Sequence, residues 1–201
     1  SSDLINEWVK KTFSLDYKRR DHGVDACPRV QGLIEEKLER MANICAHENV
    51  TSILGVPTWT IVLLDRLLEK HKIDNILELW PNLELFVHGA VAFGPYRDLF
   101  ENKYFPSSRV NYLETYNASE GFFAIQDDLN RPDEMLLMLD YGIFYEFMPI
   151  EEYGKPNPKT IGLDKVEVNI NYALIITTNG GLWRYLIGDV IRFTDIEKCE
   201  I

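Results

Sequence analysis

The sequence is short of cysteine, short of positive charge, and has no long apolar run. Cys27, Cys45 and Cys199 are its three cysteines in 201 residues. They are too few and too scattered for a disulfide framework and suit a reducing compartment, so a cytoplasmic location is expected. Lysine and arginine number 21 against 32 aspartates and glutamates, a formal net charge of −11. Such a surface repels phosphate chains, which argues against nucleic acid as the main partner. Lys18-Arg19-Arg20 is the only basic cluster and reads as a solvated helix end or loop. No apolar stretch approaches the roughly 20 residues that span a bilayer, so no membrane partner is expected. The first residues, Ser1 to Glu7, carry no basic region ahead of an apolar one, the mark of a secretory leader. Asn49-Val50-Thr51 and Asn117-Ala118-Ser119 match the glycosylation pattern but, with no secretory route, read as chance.

Several catalytic signatures are also missing. There is no Gly-x-Ser-x-Gly elbow, no His-Glu-x-x-His and no Cys-x-x-Cys. Cys45-Ala46-His47 has no second pair at zinc spacing. A glycine-rich loop ending in Lys and Ser/Thr is absent, so no phosphate cradle of that kind is carried by these residues.

What is present is a globular composition, 46% hydrophobic and 26% charged. A chain of this size buries roughly 70% of its unfolded surface, enough for a core, and a single domain is the natural expectation. Its organisation reads in three stretches: a helical lead-in over 1–48, a β/α layer over 49–105, and a strand-rich part over 106–201. In the lead-in, Leu4, Ile5, Trp8 and Val9 recur at helix spacing, and Ile34, Leu38, Met41 and Cys45 mark a helix from about Arg29 to Ala46 behind Pro28. Next come a strand at 51–54, a helix from Trp59 to Lys70, and a shorter helix from about Asp74 to Trp80 stopped by Pro81. A strand from Leu83 to Val87 and a helix from about Pro95 to Tyr104 complete an alternation typical of mostly parallel sheets. Strands alone follow, at 110–115, 122–125, 136–139, 143–148 and 172–177. Asn179-Gly180-Gly181 then joins two apolar runs as a hairpin. The fold class is α/β.

Three segments have the character of ligand loops. Tyr116-Asn117-Ala118-Ser119-Glu120-Gly121 follows a strand: small residues admit a ligand to the backbone, and Ser119 and Glu120 offer oxygens for a phosphate and its Mg²⁺. The ring of Tyr116 can present itself to a base. Equally, Ser-Glu before Gly makes an ordinary turn. In Leu182-Trp183-Arg184-Tyr185-Leu186-Ile187-Gly188-Asp189-Val190, an Asp after Gly between apolar strands can aim a carboxylate at two vicinal ribose hydroxyls. It can also simply bond its own backbone. In Val87-His88-Gly89-Ala90-Val91-Ala92 a strand ends on small residues against which a flat ring could lie, with His88 more often packed or solvated than catalytic.

The order and separation of these segments resemble the auxin-responsive acyl-acid amido synthetases, the Gretchen Hagen family of the adenylate-forming enzymes. Residues 116–121 look like that family's Tyr-x-x-Ser-Glu-Gly motif, and Gly181 to Val190 like its Tyr-Arg-x-x-Gly-Asp segment. Thr51 to Trp59 and the His88-Gly89-Ala90 turn are similar to segments lying between its phosphate loop and the Ser-Glu motif; the likeness covers about Asn49 to Phe193. The resemblance implies the central part of the large N-terminal domain of such an enzyme, a mixed sheet with flanking helices. It also implies ATP and Mg²⁺ as cofactors, a small carboxylic acid as substrate, and an amino acid or other amine as acceptor. Ser119 would contact the α-phosphate and Glu120 would hold Mg²⁺; these two are the catalytic candidates. Thr115, Tyr116, Gly89, Ala90 and Asp189 would bind nucleotide, with Tyr116 and Gly89-Ala90 against adenine and Asp189 on the ribose. Val56 and Trp59 would face the acyl group. Family members also have an upstream Ser/Thr/Gly-rich phosphate loop and a mobile C-terminal domain, neither found in these 201 residues, so this chain alone is expected to be inactive. Transfer to coenzyme A, a non-catalytic nucleotide-binding module, and a plain interaction domain are the alternatives.

Overall fold

A computed structural model describes residues 28–201, with side chains from residue 35 onward. The expected helix through Leu4 to Val9, the Lys18-Arg19-Arg20 cluster, Cys27 and the Ile34 side chain lie outside the described residues. The chain divides into two units, 1–40 and 41–201. Helix α1, Pro28–Cys45, runs from the first into the second, and every other described element belongs to the second. Among the described residues no helix is long and apolar enough to cross a membrane.

In this second unit Ala42 is the fully buried residue of α1, with Cys45 packed beside it. The Trp80 indole N–H donates to the Cys45 carbonyl at 2.8 Å, satisfying one of the acceptors that a helix end leaves open. Strand β1, Ser52–Leu54, gives way at Gly55 to helix α2, Pro57–His71, with Pro57 in the first turn where its missing N–H costs nothing. Pro57, Thr60, Leu64 and Leu67 recur at helix spacing and are buried; Lys72, left-handed at φ 54°, closes the helix by donating its N–H to Leu68. The helix expected over 74–80 is a single 3₁₀ turn, Ile76–Glu78. Asn75 and Glu78 satisfy each other's backbone N–H groups in a capping box, and Pro81 follows before a second turn can form.

Strand β2 is Leu85–Gly89 and helix α3 is Gly94–Leu99. The sequence predicts a continuous helix to Tyr104, but after Leu99 the turn widens to π geometry over Phe100–Tyr104. Phe100, Tyr104 and Phe105 are all fully buried there. Phe100 stacks on Phe86 of β2, with ring centroids 4.8 Å apart. Burying side chains of this size contributes about 1.5–3 kcal/mol each, which offsets the poorer hydrogen bonding of a π turn.

Strands β3, Asn111–Ala118, β4, Gly121–Ile125, and β5, Leu136–Leu137, complete a five-stranded sheet in the order β1-β2-β3-β4-β5. The first three strands are parallel and the last two antiparallel, a mixed sheet with flanking helices. Parallel neighbours need crossovers, and α2 and α3 supply them. Helix α2 and the π turn that follows α3 send their buried side chains, Leu64, Leu67 and Phe100, into one core with Phe86.

A second, antiparallel sheet consists of β6, Ile143–Pro149, β7, Asn171–Thr178, and β8, Tyr185–Arg192. Alternation sets its inner face: Tyr145 and Phe147, with Tyr172, Leu174 and Ile176, are buried, while Phe144 is exposed. These residues share a core with Phe123 and Ala124 of β4, so the two sheets close on one another there. The hairpin expected at Asn179-Gly180-Gly181 joins β7 to β8, through a connection over 179–184 in which Gly181 and Arg184 have φ of 101° and 45°.

Candidate functional site

The carboxyl ends of β1, β2 and β3 open on one edge, the place where ligands bind in parallel sheets. The segments singled out in the sequence meet there. Beyond β1 lie Gly55, half-buried Val56 as the residue preceding α2, and Trp59 in its first turn, 69% exposed. At the end of β2 lie buried Gly89 and exposed Ala90, the latter left-handed at φ 67°. A side chain at Gly89 would put its Cβ 2.3 Å from the Thr115 carbonyl oxygen and 2.8 Å from its hydroxyl, so only glycine fits. The Thr115 hydroxyl itself donates to the His88 carbonyl at 3.0 Å, tying β3 to β2 at this level.

Tyr116-Asn117-Ala118, read from the sequence as part of a loop, belongs to β3. Only Ser119 and Glu120 form the turn, between the paired residues Ala118 and Gly121. Ser119 is exposed and Glu120 half-buried. The pairing passes from Tyr116–Ala124 to Asn117–Phe122, which leaves Phe123 as an extra residue on β4. The ring of Tyr116 packs on that residue, with centroids 5.0 Å apart.

Asp189 is likewise on a strand rather than in a bend between two. In β8, Leu186 pairs with Ile175 and Val190 with Ala173, so Ile187, Gly188 and Asp189 bulge opposite the single residue Leu174. Gly188 supports the bulge at φ 103°. A bulge re-aims a side chain, and this one brings Asp189 to the first sheet: the Tyr116 hydroxyl donates to Asp189 Oδ2 at 2.6 Å, across 73 positions of sequence. Burial, then the hydrogen bond to Asp189, push the Tyr116 phenol far above its ordinary value, so it is a proton donor at any physiological pH.

His88 is a packed residue, not an exposed one. It is 2% exposed and its ring stacks on Phe93 at 3.9 Å. Burial, reinforced by the Arg97 charge, lowers its pKa to about 4. Neither ring nitrogen has a partner among the described residues.

Among the described residues no three His, Cys, Asp or Glu side chains cluster to hold a metal. A single carboxylate in the turn, Glu120, fits Mg²⁺, which is usually held by one or two carboxylates together with substrate phosphates. A network absent from the sequence reading joins β6, the loop at Thr160 and the residue just before β8: the Arg184 guanidinium donates to Glu146 at 2.9 Å and to the Thr160 hydroxyl at 3.1 Å, and Thr160 donates to Glu146 at 2.8 Å. Its one sequence signal was a lone acid inside an apolar strand, Tyr145-Glu146-Phe147. Two clefts lie apart from the edge. One of about 570 Å³ is lined by Arg97, Glu101 and Tyr112, the other of about 430 Å³ by Met148, Ile175, Arg184 and Leu186.

Comparison with known proteins gives matches to two domain families of one name. The GH3 family N-terminal domain matches residues 24–110, and the GH3 family central domain matches residues 136–199. The chain is 28% identical over 214 aligned positions to the indole-3-acetic acid-amido synthetase GH3.4 of Arabidopsis thaliana, with 96% of this chain and 30% of that protein covered. Among solved structures it is similar to an acyl acid amido synthetase, AtGH3.15, in complex with 2,4-DB (TM-score 0.58, 15% identity, 79% of this chain and 36% of that one). It is similar also to a 2-hydroxyisobutyryl-CoA ligase bound to 2-HIB-AMP and CoA (TM-score 0.58, 14% identity, 81% of this chain and 33% of that one). At these identities the structures establish a shared fold, a mixed sheet with flanking helices. The chain spans about a third of the length of these relatives.

Proposed function

The chain belongs to the GH3 family, and from that premise we propose that it forms the nucleotide-facing middle of an ATP-dependent acyl-acid amido synthetase. One observation carries this reading. Two segments far apart in sequence are joined by the Tyr116–Asp189 hydrogen bond at the carboxyl edge of the parallel strands.

In the proposed reaction a carboxylate oxygen of the acid attacks the α-phosphorus of ATP. The bond to the bridging oxygen breaks, pyrophosphate leaves and acyl-AMP forms. An amine, in the first instance that of an amino acid, then attacks the acyl carbon; AMP leaves and the nitrogen gives up a proton. Asp189 accepts hydrogen bonds from the ribose hydroxyls, as an ionised carboxylate with free lone pairs can. Gly89 and Ala90 offer bare backbone to the adenine, and the Tyr116 ring borders it. Thr115 holds this floor together through His88. Ser119 reaches the α-phosphate from the turn, and Glu120 gives a carboxylate to Mg²⁺, an ion that would neutralise charge gathering on the phosphate oxygens. Val56 and Trp59, beyond β1, border the acyl group. A cytoplasmic setting accords with the free thiols Cys45 and Cys199.

The test is acid-dependent exchange of pyrophosphate into ATP by the intact protein, beside Asp189→Ala. Exchange that is lost in the variant supports the proposal. No exchange with any of a broad set of carboxylic acids would reject it in favour of a non-catalytic nucleotide-binding module.

A further inference from the structure

We infer that Tyr116 is a positioning residue for the ribose, acting through its hydroxyl on Asp189 rather than through its ring alone. The inference rests on the reading of Asp189 as the ribose group.

Asp189 is exposed, and it sits on a bulge whose backbone includes a glycine at φ 103°. A carboxylate in such a place samples several rotamers and must be ordered before it can meet two vicinal hydroxyls at once. Tyr116 supplies that order. Its hydroxyl has one proton, and the 2.6 Å bond commits it to Asp189 Oδ2. The ring is held from behind by Phe123 on the bulge of β4, so the donor is itself fixed. A carboxylate has about four acceptor sites on its two oxygens, and the phenol takes one. Oδ1 accepts no hydrogen bond from the described residues and is left for the ligand. A single hydrogen bond thus crosses between the sheets, from a tyrosine backed by the bulge of β4 to an aspartate carried on the bulge of β8.

The bond also selects among ligands. A ribose donates two hydroxyl protons to the fixed carboxylate; a sugar lacking both has nothing to offer it. The ring of Tyr116, in contrast, serves both ligands alike. The contribution of the hydroxyl therefore resides in the ratio of two affinities, and not in overall binding.

The experiment measures binding of AMP and of 2′,3′-dideoxy-AMP to the intact protein, to Tyr116→Phe and to Asp189→Ala. The expected result is that the wild type prefers AMP, that Asp189→Ala loses the preference, and that Tyr116→Phe reduces it about tenfold, the effect of deleting a hydrogen bond to a charged group. A preference in Tyr116→Phe equal to that of the wild type overturns the inference and leaves the ribose role of Asp189 standing. If wild type and Asp189→Ala both fail to distinguish the two ligands, the ribose role falls and the inference with it. Should Tyr116→Phe not fold, 4-fluorophenylalanine at position 116 fills the space of the hydroxyl without its proton, and the same ratio decides.

Discussion

His88 on β2 and Glu114 on β3 are direct partners across a parallel strand pair, and burial drives their proton equilibria in opposite directions. Burial, with Arg97 second, lowers His88 to about 4; burial, with Asp133 second and against the pull of Arg97, raises Glu114 to about 7. Each favours its neutral form.

The stability consequence has two opposed parts. Between about pH 4 and pH 6.5 the unfolded chain binds a proton at His88 that the folded chain refuses, so stability rises with pH. Between about pH 4.5 and pH 7 the folded chain holds a proton at Glu114 that the unfolded chain releases, so stability falls as pH rises. The wild type should therefore show an almost level contribution from this pair across pH 4.5–6.5. Glu114→Gln should expose a rising slope, His88→Phe a falling one, each on the order of 1–3 kcal/mol over the window. Urea midpoints at several pH values check this; slopes of equal sign in the two variants would refute it.

Gly89→Ala should destabilise the chain by about 1–3 kcal/mol, the usual cost of forcing extra volume into a packed site. The new methyl would lie 2.3 Å from the Thr115 carbonyl oxygen, which is strand backbone and cannot swing aside. Because Thr115 adjoins Tyr116, nucleotide affinity should fall with stability. Thermal unfolding and AMP titration of the same variant measure both.

The Arg184–Glu146 pair should matter modestly. The arginine side chain is 64% exposed, and solvent screening keeps such pairs to about 1 kcal/mol or less. Hydrogen bonds from Arg184 and Thr160 hold the Glu146 carboxyl below its ordinary value, so its contribution is present at neutral pH and disappears as pH falls through that lowered value. Glu146→Gln should accordingly lose stability at pH 7 and approach the wild type in acid, as read from denaturant midpoints.

Trp59→Ala should leave stability within about 0.5 kcal/mol, since the side chain is 69% exposed and its removal opens no cavity. If it borders the acyl group, the variant should change the Michaelis constant for the acid while leaving that for ATP alone. Steady-state kinetics with each substrate varied in turn distinguish the two.

The sequence by itself determined the α/β alternation, because Leu64 and Leu67 at helix spacing, and Tyr145 and Phe147 at strand spacing, reflect local periodicities that burial enforces. It also marked the three segments that meet at the sheet edge, since small residues beside Ser119-Glu120 and before Asp189 are visible in one dimension. It misplaced Tyr116 and Asp189 into loops: the end of β3 from Tyr116 to Ala118 carries no alternation of burial, and Asp189 lies on the bulge of β8, so neither shows the pattern by which strands are recognised. The widened turn at Phe100–Tyr104 escaped it for a related reason: packing on Phe86, not helix propensity, chose the geometry. Only the tertiary structure decided that Tyr116 gives its proton to Asp189, that Gly89 has no room for a side chain, and that His88 and Glu114 oppose one another. Each depends on strand register, which local sequence cannot convey, because register is set where distant side chains compete for the same buried volume.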